Sequence, residues 1–363
     1  MSDSFRRLII AQEEHFVHGT PGTYPRLCRL SDGSILVGFT AFENGLRILS
    51  VARSTDGART FEPHGEVTRS SGDCDNLFLL ELPRDEDPEI DDEIDSINSP
   101  PTILAAFRKH DRASDGTYTY FRLVVCQSTD GGRSWFFLSI PFEKHAPFGL
   151  WEPFLLHECT TSALQLYFSQ EMDHDDQDIM VVCSTDGGAT WSSPQCVTGD
   201  GERLRDGMVG VALTRDTFDD LEVEALVMVM ETTRHGTLSI EAAVSYDWGE
   251  TFGWRQAVYK AREGRNAGAP QIVAFTDRSL AVVFMTDEDE DGESTWPRGA
   301  KVKAIFDLGL HLGTFDWGEP DTITETASSW PGILRVADDA AMAVYESSSS
   351  IRGRMLRVEL WEW

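Results

Sequence analysis

STDGGRSW at 128–135 is one of four copies of the same eight-residue pattern, with STDGARTF at 54–61, STDGGATW at 184–191 and SYDWGETF at 245–252. Each copy follows an apolar run and begins another, so each is predicted to be a hairpin turn between two strands. The Asp side chain can accept hydrogen bonds from backbone N–H groups of a tight loop, and Gly supplies a left-handed backbone conformation. The Ser or Thr hydroxyls would close the loop, and the last aromatic residue would fill apolar space beside the next strand.

The spacing of these turns predicts the architecture. Successive copies begin 74, 56 and 61 residues apart, counted from 54 to 128, to 184 and to 245. A repeat of about 55–60 residues suits one four-stranded propeller blade and gives about six blades. We therefore predict an all-β, six-bladed β-propeller that forms a single domain over residues 1–363. The first interval is longest because it contains an acidic segment around 83–100, which we interpret as a solvated loop insertion rather than a calcium site.

Further strands are predicted where β-branched or aromatic runs are bounded by turn residues. These runs lie at 30–39, 102–108, 164–170, 225–231, 280–286 and 341–347. The first strand, at 6–12, and the last, at 355–361, are predicted to share a blade and so close the ring.

Charge excludes some classes of partner. The 61 acidic and 31 basic residues give a formal net charge of −30, which is a poor match for nucleic acid or an anionic membrane. No window approaches the roughly 18 apolar residues of a membrane span. The start of the chain, MSDSFRRLII, does not resemble a signal peptide. We expect a cytoplasmic monomer, and a secreted protein only if a leader has been removed.

Neither a metal nor a cofactor is expected. The six cysteines, Cys28, Cys74, Cys126, Cys159, Cys183 and Cys196, include no CxxC pair and no metal-ligand spacing. His110 and His174 have no metal-like partners at useful spacing.

Two carboxylates are candidates for catalysis. Glu152 lies between Trp151 and Pro153, just before the apolar run FLL, and Glu231 ends the strand ALVMVM. An apolar environment should raise the pKa of both carboxyl groups, as a general acid near neutral pH requires. Carboxylates paired across a sugar-binding pocket are the usual equipment for glycosidic cleavage. The alternative is that each one only anchors a loop through hydrogen bonds.

The eight-residue pattern resembles the Asp box, or BNR repeat, of sialidase-fold propellers. In that family the boxes join the third and fourth strands of a blade at the outer rim and are structural. The resemblance extends across most of the chain to glycoside hydrolase family 93, exo-arabinanases that release arabinobiose from α-1,5-linked arabinan. It is carried by YPRLCRLSDGSIL, AAFRKHD, GLWEPF, LYFSQE, RDGM, VMVMETT and GAPQIV. The WEP and ETT segments are the most informative.

This resemblance implies a role for each matched residue. Glu152 would be the nucleophile and Glu231 the general acid/base of a retaining enzyme that acts on an oligosaccharide or polysaccharide. The residues implied to contact the substrate are Arg26, Asn76, Arg108, Asp206 and Tyr345, with Trp151 and Trp330 offering apolar faces to sugar rings. Arg108 could instead pair a neighbouring carboxylate, and Tyr345 could be a core tyrosine satisfied by one hydrogen bond.

Two other functions stay open. An exo-sialidase would need three arginines and a Tyr nucleophile, for which Arg26, Arg108, Arg205, Arg265 and Tyr345 are available. However, the segment Tyr24-Pro25-Arg26 departs from the opening typical of sialidases. The other possibility is a non-catalytic sugar-binding or scaffold propeller, because a fold does not imply a function.

Overall fold

The fold is built entirely from strands and turns. The computed structural model describes residues 5–83, 100–158, 161–218 and 221–361. These residues form 24 strands that pair into six four-stranded antiparallel sheets. The six sheets are the blades of a β-propeller, which confirms the predicted fold. Most of the predicted acidic insertion around 83–100 lies outside the described residues, as does Cys159.

Blades 1 to 3 follow one another along the first half of the chain, after strand β1 (Phe5–His18). Blade 1 contains β2 (Gly22–Arg29), β3 (Ile35–Glu43), β4 (Leu46–Ser54) and β5 (Glu62–Ser70). Blade 2 contains β6 (Asp73–Glu81), β7 (Ile103–Arg112), β8 (Tyr118–Ser128) and β9 (Phe136–His145). Blade 3 contains β10 (Leu150–His157), β11 (Leu164–Asp173), β12 (Asp176–Ser184) and β13 (Gln195–Thr198).

Blades 4 to 6 complete the ring. Blade 4 contains β14 (Asp206–Phe218), β15 (Leu221–His235), β16 (Thr237–Ser245) and β17 (Gly253–Tyr259). Blade 5 contains β18 (Ala267–Ala274), β19 (Leu280–Thr286), β20 (Lys301–Asp307) and β21 (Asp321–Thr322). Blade 6 contains β22 (Ser328–Ala337), β23 (Ala340–Ser347), β24 (Ser350–Trp361) and, as its fourth strand, β1. The six runs predicted as strands coincide with the second strand of each blade.

The two ends of the chain meet in blade 6. β1 pairs antiparallel with β24, with Leu8 opposite Val358 and Ile10 opposite Leu356. The prediction that the first and last strands share a blade is therefore confirmed. Pairing the two termini in one sheet supplies the outer strand of blade 6 and closes the ring.

Apolar side chains fill every space between neighbouring blades. Six buried clusters occur, one at each interface, and one of them joins blade 6 to blade 1 through Val344, Leu27 and Val37. Burying a side chain of this size contributes about 1.5–3 kcal/mol. The second strands carry much of this core because both of their faces are covered, so they read as nearly continuous apolar runs.

The four repeated turns, called here the Asp turns (54–61, 128–135, 184–191 and 245–252), join the third and fourth strands of blades 1 to 4. In blade 2, Asp130 accepts hydrogen bonds from Ser128 Oγ at 2.8 Å and from the Arg133 and Ser134 N–H groups at 3.0 Å. Gly131 and Gly132 have φ of 75° and 92°. The indole of Trp135 packs against the cluster between blades 1 and 2. The turn chemistry predicted from the sequence is therefore present.

The five cysteines among the described residues are free thiols. The same residues include no helix with the length and apolar character needed to span a membrane.

Candidate active site

The first strand of each blade has a bulge at the same place. The pairing with the second strand shifts there in all six blades, for example between Trp151 and Phe154 in blade 3. One residue of each bulge has a positive φ of 43–57°. We call these six residues the bulge ring: Tyr24, Asn76, Glu152, Met208, Ala269 and Trp330. Left-handed backbone is costly for non-glycine residues, and repeated strain of this kind marks functional positions.

Proline explains part of this local geometry. It follows the bulge-ring residue in four of the six blades, as Pro25, Pro153, Pro270 and Pro331. A bulge leaves a residue without a ladder hydrogen bond, so a residue that has no N–H is tolerated there. The bulges direct side chains toward a narrow central cavity lined by Tyr24, Arg26, Asn76, Glu152, Met208 and Gln271.

A second set of residues faces these bulges from the second strands. We call this set the facing ring: Thr40, Arg108, Ser169, Glu231, Met285 and Glu346. Each pairs with the residue just before a bulge, and several reach the bulge of the next blade. The Met208 N–H donates to Ser169 Oγ at 3.3 Å, and the Ala269 N–H donates to Glu231 Oε2 at 2.8 Å. The fold therefore offers two inward positions per blade.

Glu152 occupies the bulge-ring position of blade 3 and is partly exposed. Burial raises the pKa of its carboxyl to about 7; Arg108 opposes this rise, while the like charge of Glu231 adds to it. The Ser169 hydroxyl donates to the carboxylate and favours its ionised form. The charge of Glu231 acts on Glu152, so the two carboxyl groups lie close enough to interact.

Glu231 occupies the facing-ring position of blade 4 and reaches toward blade 5. Burial raises the pKa of its carboxyl, and the Ala269 N–H and the field of Arg205 oppose this. A Cβ on Gly268 would lie 2.5 Å from Glu231 Oε2 and 3.1 Å from the Trp296 ring. Glycine at 268 thus leaves room for the carboxylate, and the Trp296 ring packs close to the same position.

Several buried acids elsewhere in the chain are paired with arginines, as buried charges usually are. Asp73 pairs with Arg108 and Arg112, and Asp206 accepts two hydrogen bonds from Arg255, at 2.6 and 2.8 Å. Within the described ranges no salt bridge involves Glu152, Glu231 or Glu346. These three glutamates therefore differ from Asp73 and Asp206 in having no arginine partner.

Arg26 lines the cavity and Arg108 acts on the charge of Glu152, but protein acceptors hold both arginines. Arg26 Nη1 donates to the carbonyls of Pro25 and Pro331, at 2.9 and 2.8 Å. Arg108 Nε donates to Asp73 at 3.1 Å, and its guanidinium lies 4.9 Å from the Trp151 ring centroid. The structural alternative weighed for Arg108, pairing a carboxylate, is thus observed together with its place beside Glu152.

The other predicted residues divide between pocket and core. Trp330 stacks on Tyr24 with ring centroids 4.6 Å apart, and Asn76 is 6% exposed with no hydrogen-bond partner for Oδ1. Asp206 and Tyr345 are fully buried. Asp206 is held by Arg255, and the Tyr345 hydroxyl donates to Glu14 at 2.7 Å. Arg26, Asn76 and Glu152 line the cavity, Arg108 and Glu231 act on the charge of Glu152, and Trp151 and Trp330 contact Arg108 and Tyr24. Asp206 and Tyr345 do not line the cavity.

Sequence reasoning missed Thr40, Ser169, Met285, Glu346 and Trp296. A signal for the first four exists in the second strands, which end in the matched pairs Phe39-Thr40, Phe107-Arg108, Phe168-Ser169, Met230-Glu231, Phe284-Met285 and Tyr345-Glu346. Aligning the six strands on the large buried residue would have placed Glu346 at the position of Glu231. Trp296 lies in the connection between β19 and β20 and has no such repeat.

One cluster of potential metal ligands occurs among the described residues, formed by Asp173, His174 and Asp175. It lies in the hairpin between β11 and β12, and the guanidinium of Arg203 pairs with both carboxylates. That guanidinium supplies the positive charge these carboxylates need.

The fold and pocket together define a six-bladed propeller with glutamates at its centre. No protein-family model and no curated protein matches the chain. Among solved structures, it is similar to the GH93 α-L-arabinofuranosidase of Fusarium graminearum in complex with arabinobiose, with a TM-score of 0.68, 18% identity, and 95% of this chain and 97% of that one covered.

Two further structures share the fold. The Penicillium chrysogenum α-L-arabinanase complexed with arabinobiose matches with a TM-score of 0.67 and 16% identity, over 97% of this chain and 98% of that one. The NanB sialidase from Streptococcus pneumoniae, as its K499G mutant, matches with a TM-score of 0.55 and 13% identity, over 98% of this chain and 70% of that one. At these identities the likeness is one of fold.

Proposed function

We propose that this protein is a retaining, exo-acting glycoside hydrolase that cleaves α-L-arabinofuranosyl linkages and releases arabinobiose from α-1,5-linked arabinan or its oligosaccharides. The observation that carries the proposal is the pair Glu152 and Glu231. Both are partly exposed, both have raised pKa values, and the charge of one raises the pKa of the other. The choice of sugar rests on the resemblance of the sequence and on the similar folds complexed with arabinobiose.

The mechanism requires one protonated and one ionised carboxyl group. The acid donates its proton to the glycosidic oxygen while the nucleophile bonds to the anomeric carbon, and the leaving group departs as an alcohol. A water molecule then attacks the same carbon, gives its proton to the former acid and releases the nucleophile. The pKa of each carboxyl group is raised, and the charge of Glu231 adds to the rise at Glu152, so the two titrate as an interacting pair.

The roles within the pair are a separate question from the pair itself. The resemblance assigns the nucleophile to Glu152 and the acid/base to Glu231. Burial raises the pKa of both carboxyl groups, and the Ala269 N–H favours charge on Glu231. We keep the assignment from the resemblance and test it chemically. Azide should restore activity to a glycine or alanine variant of either glutamate. The glycosyl azide should keep the anomeric configuration of the substrate when the acid/base is replaced, and should have the inverted configuration when the nucleophile is replaced.

The sialidase alternative lacks an accessible tyrosine at its expected position. Tyr345 is completely buried and bonded to Glu14. Arg26 and Arg108 are bonded to carbonyls and carboxylates of the protein. A clamp for a sugar carboxylate would have to break those bonds, which a neutral sugar does not require.

The test is the release of arabinobiose from linear α-1,5-arabinan by the full chain. Glu152→Gln and Glu231→Gln should each abolish release while the protein stays folded. Glu62→Gln, on the exposed outer strand β5, is the matched control and should behave as the unaltered protein. Sugar binding without any turnover would instead support a non-catalytic propeller, and normal turnover in either pocket variant would overturn the proposed pair.

A further inference from the structure

Glu346 occupies the same position in blade 6 that Glu231 occupies in blade 4. Glu231 pairs with Gly207 just before the blade 4 bulge, and Glu346 pairs with Ser329 just before the blade 6 bulge. Both belong to the facing ring, whose side chains point toward the next blade. For Glu346 the next blade is blade 1, because the ring closes there.

The contacts of Glu346 are consistent with this direction. Val344, two residues earlier on the same face of β23, packs in the cluster between blades 6 and 1. The Thr23 hydroxyl donates to the Glu346 carboxylate, and Asp75 lies close enough to act on its charge. Thr23 immediately precedes Tyr24 in the blade 1 bulge. The carboxylate therefore lies on the blade 1 side of the pocket.

Asp75 and Glu346 differ in whether basic side chains pair with their carboxylates. Asp75 accepts a hydrogen bond from Thr40 at 2.5 Å and pairs with Arg47 and with Arg108, the latter at 3.6 Å. It is 2% exposed. Glu346 is partly exposed, and within the described part of the chain no arginine or lysine pairs with it. It therefore has acceptor capacity that the protein does not use.

The surroundings of Glu346 suit a sugar ring. The residue opposite it in the sheet, Ser329, precedes Trp330, and Trp330 stacks on Tyr24 at 4.6 Å. Asn76, in the next bulge, has a buried Oδ1 without a partner. Aromatic faces beside a few unsatisfied polar atoms are typical of small-molecule sites, and leaving such an acceptor unpaired costs free energy that a ligand hydroxyl would recover.

We infer that Glu346 is a substrate-binding residue whose carboxylate accepts hydrogen bonds from ring hydroxyls of the bound sugar at the junction of blades 6 and 1. Asn76 Oδ1 provides the adjoining acceptor. The ligand class is a neutral, hydroxyl-rich sugar that lies against Tyr24 and Trp330. The inference rests on the proposed function, for which it names the recognition of the substrate.

The experiment measures arabinobiose binding by calorimetry in a Glu152→Gln background, so that turnover does not interfere. Adding Glu346→Gln, and separately Glu346→Ala, should weaken binding by about 10- to 100-fold, the usual range for hydrogen bonds to a charged group. Glu62→Gln in the same background should leave the affinity unchanged. Thermal unfolding of each variant checks the fold, and Glu346→Gln keeps the size of the side chain if Glu346→Ala does not fold.

A double-mutant cycle with monodeoxy analogues of arabinobiose distinguishes a direct hydrogen bond of Glu346 to the sugar from a purely structural role of Glu346. At least one analogue should lose affinity for the parent protein but lose no more in the Glu346 variants, because the same hydrogen bond has been removed twice. If arabinobiose binds and the Glu346 variants bind it equally well, this inference is overturned and the proposed function stands. If the parent protein binds no arabinobiose, both are overturned.

Discussion

Carboxylates occupy two contrasting settings in this propeller. In the Asp turns of the outer strands, Asp186 accepts hydrogen bonds from Thr190 N and Thr190 Oγ1 at 2.9 and 2.6 Å, and these bonds lower the pKa of its carboxyl. In the pocket, Glu152 and Glu231 are partly exposed, and burial raises the pKa of both. The outer carboxylates are held in their ionised form, whereas the central ones are poised to exchange a proton.

The contrast separates repetition from function. The Asp of the Asp turns has the same structural role in each of the four blades, which is to close a turn. The pocket positions also recur, in all six blades, but there the backbone repeats and the side chains differ. Shared bulges present Tyr24, Asn76, Glu152, Met208, Ala269 and Trp330 at one site. The chemistry therefore depends on the residues that break the repeat.

The largest expected effect follows from replacing either member of the pocket pair. Glu152→Gln or Glu231→Gln should lower kcat on arabinan by about 10²–10⁴-fold or more, since general acid–base catalysis alone contributes that much. Neither residue is in a salt bridge with another described residue, so the melting temperature should change little. If a pocket variant and a variant of an Asp turn were equally active, the proposed difference between the pocket carboxylates and those of the Asp turns would be contradicted.

Gly268→Ala should have the next largest effect. The new Cβ would lie 2.5 Å from Glu231 Oε2, the end of a flexible side chain, so the carboxylate should move and the fold should persist. Displacing a reacting group by about 1 Å can lower the rate by about 10²-fold. Gly253→Ala is the matched control, because no atom lies within 4 Å of its Cβ position. Unchanged kcat in Gly268→Ala, measured beside that control, would contradict the placement of Glu231.

A smaller effect is expected on the pH dependence. As the nucleophile, Glu152 must be ionised, so kcat/KM should rise as the pH rises through about 7, the pKa of Glu152. The Ser169 hydroxyl stabilises the ionised form of Glu152, and Ser169→Ala should raise that pKa and move the acidic limb to higher pH. A limb that stays in place, or moves to lower pH, would show that Glu152 does not control it.

The smallest effect on activity is expected at the Asp turns. Asp247→Ala removes the hydrogen bonds from Thr251 N at 2.9 Å and Ser245 Oγ at 2.7 Å. The free energy of unfolding should fall by about 1.5 kcal/mol, the low end for bonds to a charged group because the site is partly exposed. Denaturant unfolding measures this loss, and kcat per folded molecule should not change. A selective loss of kcat would give the turns a role at the pocket.

Local chemistry explains how much of this the sequence could predict. The Asp turns were visible because each one is closed by its own side chains, and the spacing of those turns determines the blade count. Glu152 and Glu231 were visible through their apolar flanks and a family resemblance. Asp206 and Tyr345 were assigned to the pocket by the family resemblance, but their orientation depends on Arg255 and Glu14, which lie 49 and 331 residues away along the chain. Such long-range pairings leave no local pattern.

The convergence of Glu152 and Glu231 on one pocket can be measured without any substrate. Carbon-13 NMR titration of glutamate-labelled protein, with the Glu152 signal assigned by its loss in Glu152→Gln, reports the pKa of this carboxyl directly. The predicted value is about 7, and it should fall in Glu231→Gln because a neighbouring like charge is removed. A Glu152 signal that titrates near the ordinary value of 4.5, and that Glu231→Gln does not shift, would contradict the account.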